Sequence, residues 1–210
     1  MPSELRAPAA EPVQDKREAI LEAAARMIAE SGVRGFRVEK VAAEAGVSPP
    51  LLYYHFQDRQ GLVKAALAYA GEQAPSTGLG TDVEGRTGYE AIEAALLAEF
   101  DDDPRVHDHA VVWGEVAASA VFDPDLRDDL HQVVGQWRDK VAMAIASGLD
   151  DGSIRKDVEP VGTADILISL VDGLCTRWLS GGISLDRARS LMRDAIYLQL
   201  DPGAGRQRRR

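Results

Sequence analysis

Ala45-Gly46-Val47-Ser48-Pro49-Pro50-Leu51-Leu52-Tyr53-Tyr54-His55-Phe56 is the stretch on which the reading of the fold turns. Ahead of it, Val41, Ala42 and Ala45 share one side of a short helix over 38–45 that stops at Gly46. Gly46 permits a tight turn and Val47 packs into the helix pair. Ser48 is placed to cap a second helix, with Pro49 at its first position, where a missing N–H costs nothing. That helix spans Pro49 to about His55. Leu52 and Phe56, four apart, face a core, which leaves Tyr53, Tyr54 and His55 pointing outward. Two short helices on such a turn read as a helix-turn-helix. The second helix of that motif can offer its N-terminal residues and one face to a DNA major groove, while its cap donates N–H groups to phosphate.

Outward from this motif the pattern stays helical. Ile20, Ala24, Met27 and Ile28 line one face of a helix that starts near Asp15, its N-cap, with Glu18 three residues on, and closes at Gly32. Asp58 caps a fourth helix carrying Leu62, Val63, Ala66 and Leu67 to about Gln73. Residues 74–88 are rich in Gly, Ser, Thr and Pro and read as a loop. Helices are then expected at about 89–101, 105–121, 124–149, 160–180 and 185–200, separated by Asp-Pro pairs and Gly-rich turns. No alternating run of β-branched residues requires a sheet, so the fold class is all-α: a three-helix helix-turn-helix domain followed by a larger helical domain. The expected division is an arm over 1–13, the helix-turn-helix domain over 14–60, a ligand-binding and dimerisation domain over 61–202, and a basic tail over 203–210.

Composition narrows the function. Of 210 residues, 45% are apolar and 28% charged, which suits a folded globular chain. Cys175 is the one cysteine, so neither a disulfide framework nor a thiolate-rich zinc site is available. No signal sequence and no membrane span are expected, and the chain reads as cytoplasmic. His107 and His109 follow an acidic run, but a spacing of two turns their rings apart on a helix and argues against a metal site. No nucleophile–base pair or phosphate loop suggests an enzyme, and no cofactor is expected. The net charge of −10 conceals an asymmetry. Residues 14–73 hold 8 basic and 8 acidic side chains, whereas 74–202 hold 11 basic against 24 acidic. The acidic second half sets the total, so DNA binding by the first half remains open.

Glu18 to Leu67, with Ala45-Gly46-Val47-Ser48, Leu52-Tyr53-Tyr54-His55-Phe56, Arg59 and Leu62, resembles the DNA-binding domain of the TetR/AcrR family of bacterial regulators. The resemblance implies a homodimer whose two recognition helices lie about one DNA turn apart on double-stranded DNA, and a helical C-terminal domain that holds an effector. Carried over residue by residue, it makes Tyr53 a phosphate contact, places His55 and Tyr54 facing DNA, and gives Arg59 the phosphate role of the usual lysine. Arg37, Lys40, Ser48, Pro49 and Leu51 complete the expected DNA set. Four positions depart from the family pattern: Pro49 and Pro50 replace polar or small base-reading residues, Leu51 stands where threonine is common, and Arg37 stands where threonine often caps the second helix. Direct base readout is therefore expected to be sparse, with DNA shape supplying part of the specificity.

A weaker resemblance covers the second half. Trp113, Asp123-Pro124-Asp125-Leu126, Gly152 to Pro160, Asp172-Gly173-Leu174 and Arg177-Trp178 are similar to the choline-responsive subgroup of these regulators. Trp113, Trp137 and Trp178 with Glu115 and Asp172 are candidates for an aromatic, acidic pocket that holds a cationic amine; lipophilic drug-like ligands are the competing class. Core packing is the alternative for each tryptophan. The last two helices carry more apolar surface than one partner needs, which points to a dimer face with Ile168, Val171, Cys175, Leu191, Ala195 and Leu198. The expected function is a ligand-released repressor of a palindromic operator; the alternative is a helical protein-binding adaptor.

Overall fold

A computed structural model describes residues 13–74, Leu79 and 85–203, with side chains from Lys16 onward. Most of the expected arm and tail, at 1–12 and 204–210, lies outside the described residues. Nine helices are found among those described, and no strand: α1 (Val13–Gly35), α2 (Val38–Glu44), α3 (Pro49–Phe56), α4 (Arg59–Glu72), α5 (Gly88–Ala98), α6 (Pro104–Ala120), α7 (Pro124–Asp151), α8 (Pro160–Leu179) and α9 (Leu185–Leu200). The all-α, two-part architecture expected from the sequence is the observed one.

Local chemistry accounts for most boundaries. Asp58 accepts from Gly61 N at 2.7 Å and starts α4. Thr87 and Glu90 form a reciprocal capping box at α5. Pro follows the cap in α6, α7 and α8, where Asp103, Asp123 and Glu159 accept from first-turn amides. Gly46 has φ +66°, the left-handed turn between α2 and α3. Ser48 stands at the cap of α3, but its hydroxyl makes no capping bond. The first helix begins at Val13, two residues ahead of the expected cap at Asp15. Gly32, expected to end it, adopts φ +67° and ψ 169°, after which the chain makes one more turn to Gly35. The fifth helix stops at Ala98, short of the expected 101, and Phe100, just past its end, is fully buried.

Two apolar cores are built on this frame. The first joins Ile20, Ala24 and Ile28 of α1, Phe36, Val41 of α2, Leu52 and Phe56 of α3, and Leu62 and Leu67 of α4. The second joins Ile92 and Leu96 of α5 with Ile145 of α7, Leu167 and Val171 of α8, and Met192 and Ile196 of α9. Two helices serve both: α6 gives Val112, Val116 and Ala120 to the first core and Ala110 to the second, and α7 gives Leu126 to the first and Ile145 to the second. α6 also lies along α1, α4, α7 and α8, so it packs against both the helix-turn-helix part and the rest.

Candidate nucleic-acid interface and effector cavity

At the α2–α3 corner, burial of Leu52 and Phe56 fixes which side of α3 faces out. Tyr54 is 81% and Tyr53 43% exposed, beside exposed Lys40, Ser48 and Pro49 and half-buried Leu51. This is a surface of phenol hydroxyls, one ammonium and an open helix start, suited to sugar-phosphate and shallow groove contact. His55 lies differently from its expected outward direction. Its ring is half-buried, it lines a hollow with Arg17, Leu21 and Tyr69, and its Nε2 is enclosed without a hydrogen-bond partner. The two arginines near this surface are engaged within the chain. Arg37 Nη1 donates to the carbonyls of Arg34 at 3.2 Å and Phe36 at 3.1 Å. Arg59 donates to the carbonyls of Val33 and Phe36 and stands over the Phe36 ring, 5.6 Å from its centre. Each guanidinium has five N–H donors, so some remain for phosphate.

Behind this surface, α4, α6, α7 and α8 enclose a cavity of about 620 Å³. Its walls carry Leu67 and Gly71 of α4, Trp113 and Ala117 of α6, Trp137 of α7, and Val171 and Cys175 of α8. Trp113 Nε1 donates to Asp172 Oδ1 at 3.0 Å, and the Trp113 and Trp137 rings meet edge to face at 6.4 Å. Trp137 Nε1 is buried without an acceptor. Burial raises the Asp172 carboxyl above the usual range, opposed in part by the Trp113 N–H. Glu99, 5% exposed, lines the same end with His109, whose Nδ1 is 3.7 Å from Glu99 Oε2. Burial holds His109 down to about 4, against a smaller raising effect of the Ala70 backbone. The Cys175 thiol is pushed up to about 12 by burial and the neighbouring Glu99 and Asp172 charges, which makes it an inert apolar wall rather than a nucleophile. Near α4, Lys64 Nζ pairs with Asp129 Oδ2 at 2.8 Å.

Of the five expected effector contacts, Trp113, Trp137 and Asp172 come together in the cavity and two do not. Glu115 points off the other side of α6, where its Oε2 accepts from Val33 N at 3.2 Å. Trp178 packs edge-on to His107 at 6.0 Å. Glu99 and His109 were missed by sequence reasoning; the spacing of His109, Trp113 and Ala117 at i, i+4 and i+8 on α6 was the signal for the histidine. Among the expected dimer residues, Ile168, Val171 and Cys175 are buried in the subunit's own core, two of them at the cavity wall. Leu191 and Ala195 are half-buried, and Leu198 is 45% exposed. The outward strip of α8 is instead Ile166, Ser169 and Gly173. Among the described residues no group of three or more His, Cys, Asp or Glu side chains could hold a metal ion, and no helix is long and apolar enough to cross a membrane.

A short helix pair with an outward aromatic face, built onto a helical domain around a lined cavity, is the architecture of helix-turn-helix regulators. The family model described as bacterial regulatory proteins, tetR family, matches residues 20–66, and that described as BetI-type transcriptional repressor, C-terminal, matches residues 88–201. The chain belongs to the TetR family. A TetR-family regulator from Rhodococcus sp. is similar at 39% identity and TM-score 0.84, over 90% of this chain and all of that one. A transcriptional regulator from Saccharomonospora viridis, solved in complex with choline, is similar at 26% identity and TM-score 0.77, over 90% of this chain and 98% of that one. The HTH-type transcriptional repressor AcnR of Corynebacterium diphtheriae is 27% identical over 183 residues, 86% of this chain and 91% of the relative.

Proposed function

We propose that this chain is a homodimeric transcriptional repressor that binds a palindromic operator and is released by a small molecule. The observation that carries the reading is the course of α4. It begins at Arg59, beside the recognition layer, and its Lys64, Leu67, Ala68 and Gly71 then line the cavity. A ligand that reshapes that wall bears on the spacing of two recognition helices, and duplex affinity changes by the difference between the two states. Residues 14–60 form the DNA-binding part and 61–202 the effector and dimer part. Lys40, Ser48, Pro49, Leu51, Tyr53 and Tyr54 face the duplex, with Arg37 and Arg59 reaching phosphate through their remaining donors. The dimer forms on α8 and α9, where the exposed strip of Ile166, Ser169 and Gly173 joins Leu198 and the half-buried Leu191 and Ala195.

The effector is an amine with an apolar body. Buried Glu99 and Asp172 favour a cationic head, and the aromatic pair Trp113 and Trp137 supplies ring faces. A volume of this size suits a drug-sized molecule more than a bare quaternary ammonium. The BetI-type match and the choline complex of the Saccharomonospora viridis relative support an amine head group. Selection of randomised duplex DNA by the purified protein at two salt concentrations tests the DNA reading. An enriched inverted repeat, bound less tightly as salt rises, is expected. No enrichment at either salt would replace it with the protein-binding adaptor. A series of alkyl-trimethylammonium compounds, followed by tryptophan fluorescence, tests the effector class; affinity is expected to grow with alkyl length.

A further inference from the structure

The backbone of Val33 is held at its N–H and at its carbonyl by different parts of the molecule. Its N–H donates to Glu115 Oε2 of α6 at 3.2 Å, and its carbonyl accepts from Arg59 Nη2 at the start of α4. Arg59 extends the grip to the Phe36 carbonyl at 3.4 Å and lies over the Phe36 ring, which is fully buried at the entrance to α2. The break in α1 accommodates this contact. Gly32 stands at φ +67°, which favours glycine, and a Cβ there would come within 2.5 Å of Glu115 Oε2 and push the carboxylate aside. On either side of Glu115, Gly114 and Ala117 line the cavity. A carboxylate accepting a backbone N–H is a strong, directional bond. Glu115 therefore ties the cavity helix to the segment that leads from α1 into the helix-turn-helix.

We propose that Glu115 is a positioning residue: through Val33 and Arg59 it sets the orientation of the recognition layer relative to α6. The proposal rests on the DNA-binding reading above. Movement of α6 is passed through polar contacts on the two peptide groups that flank the Val33 Cα, in addition to the general apolar packing between the halves. Loss of the carboxylate leaves the turn after Gly32 loosely held, so DNA must order it on binding and duplex affinity falls.

The test uses the full chain with Glu115→Ala, Glu115→Gln and Arg59→Lys, and a duplex enriched from random DNA by the unaltered protein. Amide hydrogen exchange over residues 33–37 is expected to quicken at least about tenfold in Glu115→Ala and Arg59→Lys. Duplex affinity is expected to fall at least about fivefold in Glu115→Ala and to recover largely in Glu115→Gln, which keeps an acceptor oxygen. A lowered urea midpoint with unchanged duplex affinity would show a merely structural bond and overturn the proposal, as would unchanged exchange. Should Glu115→Ala fail to fold, Glu115→Gln and Arg59→Lys give the same comparison: unchanged exchange in Arg59→Lys overturns it. If the unaltered protein enriches no duplex, the DNA-binding reading itself falls and takes the proposal with it. Enrichment with Glu115→Ala binding as tightly as the unaltered protein removes the proposal alone.

Discussion

One helical turn back from Trp113 along α6, the imidazole of His109 is enclosed near Glu99, and its pKa is lowered to about 4. Unfolded, the same group titrates near its ordinary value of 6.5. Between those values the unfolded chain binds the proton and the folded chain does not. Stability from keeping His109 neutral is therefore complete above pH 6.5 and is lost as pH falls towards 4, by on the order of 3 kcal/mol over the whole window. Asp172, whose pKa is raised, acts in the opposite sense and partly masks the loss. Urea midpoints measured from pH 7 to pH 4.5 are expected to fall for the unaltered protein and to fall less for His109→Gln, which leaves Asp172 in place. Tyr54 predicts a different pattern. Its exposed ring contributes nothing to the core, so Tyr54→Ala should lower duplex affinity about fivefold in an anisotropy titration with the urea midpoint unchanged. The pocket residues were partly legible at this scale. Trp113 and Asp172 were recognisable as chemistry, but residues two apart on a helix diverge by about 200°, so Trp113 and Glu115 could not share a wall. Asp172 and Trp178, six apart, diverge by about 120° for the same reason.

Boundaries of elements were the most legible feature, because caps and prolines act locally. Asp123 shows how much one cap does. Its Oδ1 accepts from Asp125 N at 3.1 Å and Leu126 N at 3.2 Å, while Gln60 Nε2 of α4 donates to both carboxylate oxygens at 3.2–3.3 Å. The cap of α7 is therefore also a strut to α4. Asp123→Ala is expected to cost about 1–2 kcal/mol by urea unfolding, and Asp123→Asn, which keeps an oxygen, less than half of that. Less legible was the phase of α8. Its sequence is apolar on more than one side, because Leu167, Val171, Leu174 and Cys175 feed the core and cavity while Ile166 stands out in solvent at 53% exposure. A wide apolar face fixes that a helix is buried twice over, without fixing which stripe belongs to its own subunit.

At the scale of the whole molecule, the partner face depends on a second copy, which one chain's pattern does not contain. If α8 and α9 pair across a two-fold axis, one charge introduced there appears twice in the same interface. Leu198→Glu with Ile166→Glu is expected to give a monomer in sedimentation velocity and to weaken duplex binding at least about tenfold, with helix content by circular dichroism unchanged. Charge alone marks a neutral stretch over 14–73, which carries α1 to α4, and an acidic one over 74–202, which carries α5 to α9. That α6 would belong to both cores was not legible, since Val112 and Val116 read from sequence as core without saying whose.

That shared helix bears on how such regulators can be recombined. A hybrid made by grafting residues 14–60 onto another cavity domain would leave the α1 side of the first core, with Ile20 and Ala24, without Val112, Val116 and Ala120 of its own α6. The graft would also strand the Val33 amide opposite whatever replaced Glu115. A working exchange of operator preference has to transplant one stripe of α6 along with the reader, or else change only the outward side chains of α3 and leave every seam as it is.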